Sequence, residues 1–208
     1  GIFMNNTIIS ICREYCSGGK EIGKKVSDEL GYTFLDKQLI TEAAKKSGYD
    51  ESVFEKVDEV ATNSLLYSLV LGTYGANAAG AMPDNDKLFG LQAEIIRDTA
   101  KEKNCVVIGR CADYVLREEP NLIKIFLRAD MDFRVERFRS LYTVPEGKKP
   151  EDIINKTDKK RASYYKFYTG NLWKDMNNYD LVINTGKVGI DNAVATIIDY
   201  VRKYGYVK

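Results

Sequence analysis

The chain has no histidine among its 208 residues. That excludes Ser-His-Asp and Cys-His nucleophilic catalysis and any metal centre held by imidazole. Cysteine is scarce, and Cys12, Cys16, Cys105 and Cys111 lack the paired C-x-x-C spacing of a zinc or dithiol motif. Cys12 and Cys105 fall inside apolar runs, where small thiols are commonly buried, so all four are read as reduced cysteines of a cytoplasmic protein. Cys16, in a loop, is the one open to reactivity. No apolar run reaches the length of a membrane span, and no basic-then-apolar leader precedes a cleavage site. Neither sign of charge is in excess: 31 basic residues face 30 acidic ones, which gives no global attraction to nucleic acid or membrane. The length suits one domain, 1–208, with a full core.

What is present is an alternation. Short apolar runs, Thr7–Cys12, Tyr32–Leu35, Cys105–Gly109, Leu122–Leu127 and Asp180–Asn184, fit central strands of a parallel sheet. Between them lie helical patterns at Gly19–Leu30, Asp36–Ser47, Leu88–Lys103, Met131–Leu141 and Ile190–Tyr204. Repeated strand-helix alternation implies an α/β fold with a parallel sheet covered on both faces. Two segments interrupt it. Residues 50–86 show no strand pattern and end in a Gly/Ala-rich stretch, the mark of an inserted helical piece. Residues 143–175 begin with Lys148, Lys149, Lys156, Lys159, Lys160 and Arg161, read as a charged mobile flap. They continue with Tyr164, Tyr165, Tyr168 and Trp173, read as a helix with aromatic contacts.

The most informative stretch is Ser10–Lys25, SICREYCSGGKEIGKK, which runs from the first apolar run into the first helix. Gly18 and Gly19 allow close backbone approach to a ligand, and a helix start favours phosphate. Lys20 can reach terminal phosphate oxygens, and Arg13, one residue past the strand, supplies a second positive charge. The common phosphate-loop pattern G-x-x-x-x-G-K-[ST] is met only in its Gly-Lys. Glu14 stands at its first glycine, and Glu21 where a magnesium-binding hydroxyl is expected. Glu21 can hold Mg²⁺ directly or through water, with Ser17 as a substitute ligand. A plain Gly-Gly turn is the other reading of this loop alone.

Three segments in register, ISICREYCSGGKEIG, VVIGRCADYVL (106–116) and NNYDLVINTG (177–186), make the chain resemble the cytidylate-kinase-like branch of the P-loop nucleoside monophosphate kinases. The resemblance runs over roughly 7–200, includes a glutamate at position 21, and departs at Cys16, where the branch usually has glycine. It implies a three-layer P-loop fold with a five-stranded parallel sheet, a helical acceptor-binding subdomain at about 36–86 and a lid at about 143–161. It also implies ATP and Mg²⁺ as cofactors and a nucleoside monophosphate, CMP or dCMP first, as phosphoryl acceptor. A membrane or nucleic-acid partner is not expected.

Residue by residue, the resemblance places Ser17, Gly18, Gly19 and Lys20 on the phosphates of ATP, and Asp36, Arg110 and Asp113 near the acceptor. Asp158 and Arg161 match the D-x-x-R of the lid, whose arginine closes on the transferring phosphoryl group. Arg134 and Arg137, three apart on one helix face, are a hold on phosphate or adenine. Plainer roles stay open: a surface ion-pair face with Glu136 for Arg134 and Arg137, and helix caps for Asp36 and Asp158. A kinase of the same fold for another small metabolite, and a nucleotide-binding regulatory protein without turnover, are the rival functions. A nucleic-acid-binding module has only the lysine-rich flap in its favour.

Overall fold

The computed structural model describes residues 6–46, 48 and 84–204. Strand β1 (Ile8–Arg13) is the centre of a five-stranded parallel sheet with β2 (Thr33–Leu35), β3 (Cys105–Ile108), β4 (Leu122–Arg128) and β5 (Leu181–Asn184), in the order β2-β3-β1-β4-β5. Register places Ile9 beside Val106 and Ile123, so three apolar strands meet at the middle of the sheet.

Period-two alternation divides the core into layers. Ile9, Ile11, Val106, Ile123 and Ile125 pack with Ile22 and Val26 of α1 (Gly19–Leu30) and Ile197 and Ile198 of the last helix. On the opposite face Ile8, Cys105, Val107 and Leu122 pack with Ile40 of α2 (Lys37–Lys46) and Ile96 of α3 (Asp84–Glu102). A third cluster joins Cys12, Cys111 and Phe126 to Tyr165 and Trp173. Fully burying one such isoleucine contributes about 1.5–3 kcal/mol.

The chain continues through α4 (Ala112–Val115), α5 (Met131–Leu141), α6 (Pro150–Thr169), a 3₁₀ turn (Met176–Asn178), α7 (Thr185–Val188) and α8 (Ile190–Lys203). All five expected strands are present, with shifts of one or two residues at their ends. Helix α3 begins four residues before the expected Leu88. The helical insertion expected over 50–86 lies outside the described residues except where α3 opens.

The charged stretch differs from its expectation. Only 143–149 is loop; helix begins at Pro150, with Glu151 and Asp152 in its first turn, and runs unbroken for 20 residues. Proline at the start of a helix costs no backbone bond, and acidic residues there complement the helix dipole. Lys156, Lys159 and Lys160 lie on the exposed face of α6, while Ile154, Asp158 and Tyr165 form its buried stripe.

Candidate active site

The site lies beyond the carboxyl ends of β1, β3 and β4, on the side where ligands bind in open parallel sheets. β1 feeds the loop 14–18, and α1 starts at Gly19 behind Gly18, whose φ is 90°. The first three helical amides have no acceptor within the helix, which leaves donors available at the loop. A Cβ at Gly19 would come within 2.5 Å of the Arg13 side chain, and one at Gly109 within 2.6 Å of Arg13 Nη1. Gly19 is thus required by the path of Arg13, whereas at Gly109 only the tip of that side chain would have to give and the left-handed φ of 66° is what favours glycine. Cys16 is left-handed, with φ of 62°, a conformation that favours glycine and costs other residues roughly 1–2 kcal/mol.

The loop is braced from below by a buried ionic seam. Glu14 is 6% exposed; its Oε1 accepts from the Ala129 N–H at 3.2 Å, and its Oε2 from Lys174 Nζ at 2.6 Å. Arg134, equally buried, stands between Glu14 (3.5 Å) and Asp158 (2.6 Å). Asp158 also accepts the Tyr15 N–H at 2.7 Å, so it fastens α6 to the loop backbone. The Ser17 hydroxyl points inward and donates to the Glu14 carbonyl at 2.7 Å, while Thr185 donates to the Ser17 carbonyl at 2.7 Å.

Above the seam the groups are more open. Lys20 Nζ is exposed and 3.0 Å from Asp36 Oδ2; Asp36 Oδ1 caps α2 by accepting the Leu39 N–H at 2.9 Å. Burial opposes ionisation of Asp36, but the amide bonds and Lys20 outweigh it and hold the carboxyl below its ordinary value. Glu21 pairs with Arg137 at 2.9 Å and Lys25 at 3.4 Å, and the Arg137 bond is the main reason its pKa is lowered.

Arg13, Arg110 and Arg161 converge from β1, the turn after β3 and α6. Arg161 Nη1 donates to the Arg13 carbonyl at 3.0 Å and its guanidinium covers the Tyr15 ring at 5.2 Å. Arg110 donates from Nε to Gln92 at 2.9 Å and from Nη2 to Tyr164 at 2.6 Å. The turn that presents it is left-handed at Gly109, Arg110 and Cys111 (φ 66°, 55° and 55°), a strained path of the kind found at functional sites. Among the described residues, none of the three arginines forms an ion pair. Burial, then the facing Arg161 and Arg110, pull the Arg13 pKa down to about 9, so it stays charged at neutral pH. Burial likewise lowers that of Arg161, with Asp158 opposing.

Sequence-selected residues therefore separate into groups. Lys20, Gly18 and Gly19 stand at the loop, Glu21 and Arg137 beside it, and Arg13, Arg110 and Arg161 form a further group, with the Arg13 side chain against Gly19. Ser17, Arg134 and Asp158 belong to the buried support. Asp113 lies beneath the surface, accepting from Tyr165 Oη at 2.6 Å; burial raises its pKa, and the Tyr165 bond only partly offsets this. Arg134 and Arg137 do share a face, but their partners are Glu14, Asp158 and Glu21 rather than Glu136. Glu14, Lys174, Thr185 and Gln92 escaped sequence reasoning; Glu14 carried a signal, as a carboxylate standing where a loop glycine was expected, and Thr185 another, as part of the segment NNYDLVINTG.

The magnesium ligands expected at Ser17 and Glu21 fare differently. The buried Ser17 hydroxyl is engaged with the backbone, whereas the Glu21 carboxylate is accessible beside the helix start. No group of three or more candidate ligand side chains occurs among the described residues. Such a site fits Mg²⁺ that arrives on phosphates and keeps most of its waters, with Glu21 or Asp36 as protein carboxylate.

Comparison with known proteins agrees with this architecture. A cytidylate kinase of Saccharolobus islandicus is 26% identical over 185 residues, 88% of this chain and 85% of that protein. One of Pyrobaculum islandicum is 24% identical over 199 residues, 93% and 92% of the two chains. An uncharacterized protein from Eubacterium ventriosum has a TM-score of 0.69 at 27% identity, covering 95% of this chain and 99% of that one. Shikimate kinase from Bacteroides thetaiotaomicron, at TM-score 0.56, 15% identity and 94% and 98% coverage, shares the three-layer P-loop kinase fold. Residues 8–187 match the cytidylate kinase-like family, and the chain belongs to it.

Proposed function

We propose that this chain is a phosphotransferase that moves the γ-phosphoryl group of ATP to a nucleoside monophosphate, with CMP or dCMP as the first acceptor. The observation that carries the reading is a gathering of cations at the carboxyl ends of β1 and β3. Arg13, Arg110 and Arg161 converge there with no ion pair among the described residues, and the Arg13 side chain runs against Gly19 at the start of α1, next to Lys20 and the free amides. Phosphoryl transfer needs little covalent chemistry from protein and much positioning and charge stabilisation. The absence of histidine is therefore no obstacle.

In this mechanism Lys20 leaves Asp36 and binds the terminal phosphates, while the loop amides hold the oxygens they face. Arg110 orients the acceptor phosphate, and Arg161, fixed to the Arg13 carbonyl, stabilises charge on the phosphoryl group in transit. Mg²⁺, when bound, supplies further neutralisation between phosphates, with Glu21 or Asp36 as its protein ligand. Asp158 and Arg134 hold α6 and the loop together so that these groups stay in register. The segment from 143 to 161 serves as the lid, which limits hydrolysis of ATP by water.

A coupled assay of ADP release over CMP, dCMP, UMP, AMP and small hydroxylated metabolites tests the reading. Release that depends on a monophosphate supports it. Release only with a non-nucleotide acceptor reassigns the substrate, and ATP binding with no acceptor-dependent release identifies a regulatory nucleotide-binding protein. The latter has one observation in its favour: the loop hydroxyl that could meet magnesium, Ser17, is buried and engaged by the Glu14 carbonyl.

A further inference from the structure

Gln92, midway along α3, is 1% exposed and is surrounded by the apolar Phe89, Ala93 and Ile96 of the same helix. Its Oε1 accepts from Arg110 Nε at 2.9 Å. That bond fixes which way the amide faces, because a guanidinium N–H can only meet the carbonyl oxygen. Nε2 is left buried with two N–H donors and, among the described residues, no acceptor. A buried donor without a partner is costly, and leucine or methionine would fill a purely packed position better.

Beside it, Arg110 spends Nε on Gln92 and Nη2 on Tyr164. The neighbouring Arg13 and Arg161 are two further guanidiniums without a paired carboxylate among the described residues. The field at this place favours an anion, and a neutral amide adds a hydrogen bond without adding repulsion.

We propose that Gln92 is a second acceptor-binding residue, whose Nε2 donates to an oxygen of the same phosphate that Arg110 holds. The proposal rests on the kinase reading above. It differs from a role in which Gln92 merely steadies Arg110, and one substitution separates the two. In Gln92→Glu the side chain still accepts from Arg110 Nε, and more strongly, but the donor is gone and a negative charge faces the phosphate.

The test is calorimetric titration of the full chain, first wild type and then Gln92→Glu and Gln92→Met, with CMP, UMP and AMP and separately with Mg-ATP. Unfolding midpoints are measured on the same samples. The expected result is a 10- to 100-fold weaker affinity of Gln92→Glu for every monophosphate that wild type binds, by a common factor. Its midpoint stays at or above that of wild type, and Mg-ATP affinity stays within about twofold. Gln92→Met, which loses both the donor and the Oε1 that receives Arg110 Nε, weakens the same ligands about tenfold or more, and undiminished affinity in it overturns the proposal even where Gln92→Glu does not fold. Unchanged monophosphate affinity in both variants overturns the proposal. So does a loss confined to one base, which would make the amide a reader of the base, or an equal loss of Mg-ATP. If wild type binds no monophosphate, the kinase reading fails first and the proposal falls with it.

Discussion

Arg134 and Arg161 approach the same loop from neighbouring helices, and their surroundings are opposite. Arg134 is buried between two carboxylates, Glu14 and Asp158, and its charge is matched within the protein. Arg161 stands with Arg13 and Arg110; Arg161 donates to a carbonyl and Arg110 to a tyrosine and an amide, all of them neutral. A compensated buried arginine serves the fold, and removing it strands its partners. A cluster of uncompensated arginines is held together against its own repulsion, which is reasonable only where an anion will arrive.

The sharpest way to break the comparison is to replace each arginine by methionine. Arg161→Met is expected to lower kcat/KM about 10³-fold, near 4 kcal/mol of barrier, while unfolding free energy changes by less than about 1 kcal/mol. Arg134→Met is expected to cost about 3–5 kcal/mol in denaturant unfolding, because Asp158 is left as a buried carboxylate without its cation and Glu14 keeps only Lys174. If both variants lost stability equally, the division between them would be false.

Lys20→Ala extends the contrast to the start of α1. Its pair with Asp36 is exposed at the lysine end, so the variant should keep wild-type stability within about 1 kcal/mol while turnover in the coupled assay falls about 100-fold. A smaller effect is expected of Cys16→Gly. The left-handed backbone is free for glycine, and after the greater entropy of the unfolded glycine chain is subtracted, a gain of about 0.5–1 kcal/mol remains, read as a higher unfolding midpoint. The smallest concerns Glu21. Its folded pKa is lowered mainly by Arg137, so its contribution is present above the ordinary carboxyl value of 4.5 and is lost as pH falls through the lower folded value. Glu21→Gln should remove only a few tenths of a kcal/mol of this pH dependence, since the pair is half exposed.

The sheet was legible because buried parallel strands are apolar on both faces, and Ile8–Cys12 or Cys105–Ile108 cannot be mistaken for solvent-facing sequence. The start of α6 was hidden by its lysines, although Pro150 followed by Glu151 and Asp152 is a helix-start pattern. Glu14, Arg134 and Asp158 were each noticeable in the sequence, but the seam they form was not. Its members, Glu14, Arg134, Asp158 and Lys174, are brought together only by the tertiary fold, and nothing in a single sequence marks a buried glutamate as distinct from an exposed one. Gln92 is hidden for the same reason. Arg13 and Arg110 stood out through their positions at the ends of strands, which is where parallel sheets expose side chains to ligands, whereas Arg161, inside α6, was marked only by the D-x-x-R resemblance.

The bond from Thr185 to the Ser17 carbonyl spans 168 residues, and it sets an order in time. During synthesis the loop leaves the ribosome early, yet the hydroxyl that fastens it follows roughly 10–30 s later at ordinary elongation rates. Until then the Ser17 carbonyl lacks its partner and the loop lacks one wall. The geometry of the loop is therefore completed only at the close of folding, when β5 takes its place beside β4. A nascent chain that stalls between these strands would carry every residue of the cradle and hold none of them in place.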